Sequence, residues 1–244
     1  MKVIVVKDYE EVSAKAYEIM AELISNKPDC TLGLATGGTP VGLYKKLIEA
    51  NKAGKLDFSK VQTVNLDEYV GIDYEHPESY HKFMNRNLFD HINIDKANTH
   101  VPDGGASDPQ VACDEYNKLL ASKTIDMQLL GIGGNGHIAF NEPGTPVDSV
   151  THIVHLDERT IKDNARFFNN DMDLVPKSAM TMGIKNIMAA KKVLLLASGA
   201  NKADAVFNTV EAKPTTKVPA SVLQNHPDVT IICDEAAASK LTNK

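Results

Sequence analysis

Cysteine is scarce in this chain, and its three copies, Cys30, Cys113 and Cys233, stand far apart with no Cys-x-x-Cys spacing. That argues against a disulfide framework and a thiolate zinc site, and it fits a reducing cytoplasm. Long apolar runs are missing too. The opening Lys2-Val3-Ile4-Val5-Val6-Lys7 is too short for a signal peptide, and no segment approaches the roughly 18 apolar residues of a membrane span. Basic runs and interleaved basic and aromatic patches are absent, and the formal net charge is −6. A general nucleic-acid surface is therefore not expected, and an anionic ligand needs a local site. No linker, repeat or low-complexity tract divides the 244 residues, so one unanchored cytosolic domain, 1–244, is the expectation.

What is present is an alternation of short apolar runs with stretches of helical periodicity. Lys2 to Val6 reads as a strand, and Tyr9 to Ile24 places Val12, Ala16, Ile19, Met20, Leu23 and Ile24 on one helical face. Thr31–Ala35, Val61–Leu66, Ile125–Leu130, Val193–Ala197 and Val229–Cys233 read as further core strands. Helices are expected after Pro40, from about His76, over Asp108–Leu120 with Val111, Ala112, Tyr116, Leu119 and Leu120 inward, over Met180–Ala190, and up to about Glu211. Thr151–Leu156 alternates polar and apolar residues like a half-exposed strand. Such alternation predicts a doubly wound, mostly parallel, Rossmann-like α/β sheet in three layers, with helices on both faces.

Four strand exits carry the chemistry. Thr36-Gly37-Gly38-Thr39 lies between a strand and a helix N-terminus, where free N–H groups, two hydroxyls and the helix dipole suit a phosphate; a plain turn would use the same glycines for geometry. Asp67 and Glu68 follow the third strand, and only one of two adjacent strand residues can face a cleft. Gly131-Ile132-Gly133-Gly134-Asn135-Gly136-His137 leads to Glu142, a carboxylate able to orient and charge the imidazole. The run satisfies Gly-x-Gly-x-x-Gly, yet it sits mid-chain and meets Pro143-Gly144 where a dinucleotide site needs a helix. Ser198-Gly199-Ala200-Asn201-Lys202 ends the strand before the last long helix, and a lysine there opposes the dipole unless an anion is bound. Residues 157–176, polar and poor in apolar anchors, read either as a lid with Arg159, Lys162 or Arg166 as anion clamp, or as an ordinary surface segment.

Five stretches in order carry a family resemblance: Leu32-Gly33-Leu34-Ala35-Thr36-Gly37-Gly38-Thr39-Pro40, Asn65-Leu66-Asp67-Glu68-Tyr69, Gly136-His137-Ile138-Ala139-Phe140-Asn141-Glu142-Pro143, Arg166-Phe167-Phe168, and Ser198-Gly199-Ala200-Asn201-Lys202-Ala203. From end to end the chain resembles the glucosamine-6-phosphate deaminases of the glucosamine-6-phosphate isomerase/6-phosphogluconolactonase family. The resemblance implies conversion of glucosamine 6-phosphate and water to fructose 6-phosphate and ammonia, with no metal or organic cofactor. It makes Asp67 the base between C2 and C1, and His137 the acid-base group that opens the sugar ring. Glu142 would orient and charge His137, while Thr36, Gly37, Gly38, Thr39, Arg166 and Lys202 would hold phosphate. Some members carry aspartate at Asn135; the amide here supplies no charge, which leaves Glu142 to do so alone. The chain also lacks the C-terminal extension of members regulated by N-acetylglucosamine 6-phosphate, and His152 and Val154 fall where those have basic effector-site residues, so no such activation is expected. Gly-His-Thr-Ala-Ser, typical of the lactonases, is replaced here by Gly136-His137-Ile138-Ala139-Phe140. A sugar-phosphate sensor without chemistry is the remaining alternative, though no output module is evident.

Overall fold

The computed structural model describes residues 1–242, apart from the side chains of Arg159 and Asp163. Its strands in chain order are β1 (Lys2–Val6), β2 (Thr31–Leu34), β3 (Gln62–Asn65), β4 (Asp67–Tyr69), β5 (Thr99–His100), β6 (Met127–Leu130), β7 (His152–His155), β8 (Ser178–Thr181), β9 (Val193–Ala197) and β10 (Val229–Asp234). The helices are α1 (Tyr9–Asn26), α2 (Val41–Lys52), α3 (Tyr80–Asn87), α4 (Pro109–Ala121), α5 (Glu158–Asn164), α6 (Ile184–Met188) and α7 (Ala203–Val210). Among the described residues no helix is long and apolar enough to cross a membrane.

Seven strands form one sheet in the order β1-β10-β9-β6-β2-β3-β5, with every pairing parallel. From β2 the chain builds outward through β3 to β5, then returns to the other side of β2 and builds through β6, β9 and β10. The reversal between β2 and β6 is a topological switch point, and parallel sheets bind ligands outside the strand ends at such points. The central strands β2, β6 and β9 are buried along their whole length, which explains their unbroken apolar character. Leu32, Leu34, Leu129 and Leu195 join Tyr44, Phe58 and Met20 in the main core.

A second sheet was not anticipated. Three short strands pair antiparallel in the order β4-β8-β7, with Asp67 opposite Thr181 and Ile153 opposite Met180. The chain changes sheet at Leu66, whose N–H still donates to Leu34 in the large sheet while its carbonyl accepts from Met182. Two expectations are corrected here. Residues 178–181 form a strand because they have partners on both sides, so helix begins only at Ile184, after Gly183. On α4, Val111 faces outward at 50% exposure and Cys113 takes the inward place.

The segment 157–176 has a small core of its own. Ala165, Phe168 and Val175 are buried against Tyr69, Ile72, Phe140, Leu156 and Ala179. These few anchors seat an otherwise polar stretch against the small sheet.

Candidate active site

One cleft gathers the strand exits named above. Thr36, Gly37, Gly38 and Thr39 line it from β2, Asp67 from β4, Asn135 and His137 from the loop after β6, Arg166 from the 157–176 segment, and Lys202 from the turn after β9. Nine of the ten candidate side chains or backbone positions therefore face one space. The tenth, Glu142, lies behind His137 rather than on the cleft wall.

The threonine and glycine turn is held from below. Tyr9, the first residue of α1, places its hydroxyl 3.1 Å from the carbonyls of both Gly38 and Thr39 and accepts from the Gly42 N–H at 2.8 Å. Gly37 has φ of 88°, a conformation that disfavours any Cβ. The turn leads directly into α2, whose first-turn N–H groups and positive dipole end favour an anion.

Adjacent carboxylates at β4 separate as strand geometry requires. Glu68 turns away from the cleft and accepts from the N–H groups of Tyr69, Tyr80 and His81, all at 2.9 Å, capping the start of α3. Asp67 faces the cleft and is only 6% exposed. Burial first, then the neighbouring Glu68 charge, pushes its carboxyl up to about 8. Burial also raises Glu68 to about 7, against the opposing pull of its three N–H donors.

Behind β6 the glycine-rich loop builds a relay. His137 Nδ1 stands 3.2 Å from Glu142 Oε1, an ion-pair distance whose geometry falls short of a hydrogen bond. Asn135 Nδ2 donates to Glu142 Oε2 at 2.7 Å, and Asn135 Oδ1 accepts from the His137 N–H at 3.1 Å. The amide thus pins the carboxylate without adding a second negative charge. Partial burial raises the Glu142 carboxyl, but the adjacent His137 imidazole and the hydrogen bonds from Asn135 and Thr160 outweigh it and hold it below the usual range. Gly133 makes room for the ring, since a Cβ there would come within 2.3 Å of His137 Cε1. Farther on, Ala139 adopts φ of 53° at the cleft wall, and Asn141 locks that turn by donating to the carbonyls of Ile138 and Met182.

The turn after β9 is shaped from the neighbouring strand. Asp234 accepts from the Ser198 hydroxyl at 2.5 Å and from the N–H groups of Gly199 and Ala237. This sets the path to Lys202. Arg166 reaches the cleft from the other side, its guanidinium 4.7 Å from the centre of the Phe167 ring. Of the other proposed clamps, Lys162 is exposed and does not line the cleft, and the Arg159 side chain lies outside the described residues.

Several cleft residues had escaped sequence reasoning. Tyr69, Tyr80, Phe140 and Phe168 form an aromatic wall, with the rings of Tyr69 and Tyr80 4.8 Å apart. Tyr80 opens α3. Glu78, Thr160 and Asn164 also line the cleft, and nothing in their local sequence marks them.

Known proteins can now be set beside this geometry. The sequence profile described as glucosamine-6-phosphate isomerases/6-phosphogluconolactonase matches residues 9–232. A glucosamine-6-phosphate deaminase from Thermoanaerobacter pseudethanolicus is 53% identical over 245 aligned positions, covering all of this chain and 96% of that one. One from Lactobacillus delbrueckii subsp. bulgaricus is 55% identical, covering 99% and 100%. A solved structure described as a monomeric glucosamine-6-phosphate deaminase superposes with a TM-score of 0.96 at 48% identity, over 98% of this chain and 99% of that one. The 6-phosphogluconolactonase of Trypanosoma brucei shares the fold, with a TM-score of 0.80, at 21% identity over 99% and 98%. By profile, identity and fold, the chain belongs to the glucosamine-6-phosphate isomerase/6-phosphogluconolactonase family.

Proposed function

We propose that the chain is a glucosamine-6-phosphate deaminase, converting glucosamine 6-phosphate and water to fructose 6-phosphate and ammonia. The observation that carries this reading is the buried Asp67 carboxyl sharing one cleft with the His137 and Glu142 relay. Full-length identity of 53–55% to relatives bearing that name supports it, whereas likeness to the T. brucei lactonase at 21% speaks only to the fold.

The substrate phosphate sits among the Thr36 to Thr39 turn, Arg166 and Lys202, which fixes the sugar chain with C1 and C2 toward Asp67. His137 moves a proton from the C1 hydroxyl to the ring oxygen, and the C1–O5 bond breaks to give the open aldehyde. Its positive form is compensated by Glu142. Asp67 then takes the proton from C2, and the electron pair passes through C1=C2 to the C1 oxygen, which takes a proton from the neighbouring C2 ammonium to give a neutral enolamine. Returning the proton to C1 leaves a C2 iminium. Water adds at C2, and ammonia leaves as the ketone forms.

A carboxyl raised to about 8 fits the role of Asp67, because a general base works best with a pKa near the working pH. The substrate's ammonium at C2 favours the ionised carboxylate on arrival, so binding itself readies the base. The aromatic wall and the 157–176 segment exclude water from the enol.

Ammonia release from glucosamine 6-phosphate by wild type and Asp67→Asn, with 6-phosphogluconolactone hydrolysis run in parallel, tests the reading. Wild type is expected to release ammonia, and Asp67→Asn to lose roughly 10³-fold or more in kcat with KM little changed. Lactone hydrolysis without ammonia would transfer the assignment to the other enzyme, and tight sugar-phosphate binding with neither activity would leave a sensor.

A further inference from the structure

Glu142 is reached from two separate parts of the molecule. His137 and Asn135 approach it from the loop after β6, on opposite carboxylate oxygens. Thr160 comes from α5 and donates its hydroxyl to Oε1 at 2.9 Å, the same oxygen that His137 Nδ1 approaches at 3.2 Å. Thr160 is 8% exposed, so its hydroxyl is set by the packing of α5 rather than by solvent. One helical turn farther, Asn164 donates to the Tyr69 hydroxyl at 2.9 Å, two residues from Asp67. Positions four apart share a helix face, so α5 touches both halves of the acid-base machinery through one surface.

We propose that Thr160 is a positioning residue that makes the alignment of the His137 and Glu142 pair depend on the seating of the 157–176 segment. This inference rests on the deaminase reading for its kinetic consequence. With α5 seated, Oε1 is held from the wall side and Oε2 from the loop side, and the carboxylate plane is fixed relative to the imidazole. With α5 lifted, the Asn135 hydrogen bond and the looser His137 approach are what remain on the carboxylate, and its plane is free to turn about the Asn135 bond. Ring opening is thereby confined to the state in which Arg166, on the same segment, is also in place.

The hydroxyl also tunes charge. His137, Asn135 and Thr160 are the groups on Glu142 itself, while Asp67, Glu78, Arg166 and Lys202 are the other charged groups lining the cleft. Removing the Thr160 donor takes away one of three influences that keep Glu142 ionised, so its carboxyl rises and the acid limb of activity moves toward higher pH.

Thr160→Val keeps the volume and removes the hydroxyl, and Thr160→Ser keeps the hydroxyl. Expected for Thr160→Val is a loss of about tenfold in kcat with KM within about twofold, the order of one hydrogen bond to a charged group, together with the shifted acid limb. Thr160→Ser is expected to recover most of the rate and the wild-type limb. Equal losses in both variants, or a raised KM with kcat and pH profile unchanged, would overturn the coupling in favour of simple packing. If wild type itself releases no ammonia, the deaminase reading has failed, and the coupling is read from the His137 ring resonances by NMR. Resonances displaced in Thr160→Val but not in Thr160→Ser support it; identical resonances in all three proteins reject it.

Discussion

The two sheets divide the labour of the cleft. The seven-stranded parallel sheet supplies the Thr36 to Thr39 turn, the His137 loop and the Lys202 turn from the ends of buried central strands. The three-stranded antiparallel sheet supplies Asp67 from a strand of three residues, and the 157–176 segment packs against it. In the proposed reaction the large sheet grips the substrate and opens its ring, while the small one carries the base for the isomerisation. A rigid frame suits the fixed charges of a phosphate, and the short strand puts the buried Asp67 carboxyl on the cleft.

That division makes separable predictions. The largest effect confined to the gripping side is expected for Lys202→Met: a KM increase of roughly 30- to 100-fold, the order of one charge-assisted contact, with kcat changed far less. A matching fall in kcat would mean that the phosphate site also aligns the reacting carbons.

A second prediction concerns the stability cost of the small sheet. Burial raises Asp67 to about 8 and Glu68 to about 7 in the folded chain, so the folded state keeps protons that the unfolded state gives up from about pH 4. Stability from these groups is full below the unfolded values and is lost as pH rises through 7 to 8. Asp67→Asn removes the Asp67 share, so its Tm is expected to match wild type near pH 4 and to exceed it by roughly 5 °C at pH 9. A constant offset at all pH values would show that the carboxyl titrates normally.

The smallest effect is expected where the segment meets the strand. Tyr69→Phe removes the hydroxyl that accepts from Asn164 and Tyr80, and kcat/KM is expected to fall by about three- to fivefold, near 1 kcal/mol. Wild-type kinetics in Tyr69→Phe would leave Thr160 as the sole polar tie of functional weight.

The same contrast explains what was legible in the sequence. Buried parallel strands must be apolar throughout, so Thr31–Leu34, Met127–Leu130 and Val193–Ala197 stood out, and with them the turns that follow. Asp67-Glu68-Tyr69 and Ser178-Ala179-Met180-Thr181 are too short and too mixed to show a period of two; Met180, Ile184 and Ile187 even mimic a helix. Their pairing is tertiary, decided by strands far off in the chain. Thr160 and Asn164 were illegible for the same reason: a threonine and an asparagine in a polar stretch acquire meaning only when the helix that bears them lands on Glu142 and Tyr69.

Asp234 has one more consequence, and it concerns the order of assembly. It ends β10, the strand that lies between β1 and β9, and its carboxylate shapes the Ser198–Gly199 turn. During synthesis, β1 precedes the other strands of the large sheet, and its strand partner among the described residues, β10, follows all of them. The turn after β9 gains its support at that same moment. Folding of this sheet cannot be completed progressively from the N-terminus, and a nascent chain stalled before Val229 would carry both an unpaired edge on β9 and an unshaped turn after it. Completion of the sheet and shaping of that turn are thus one event.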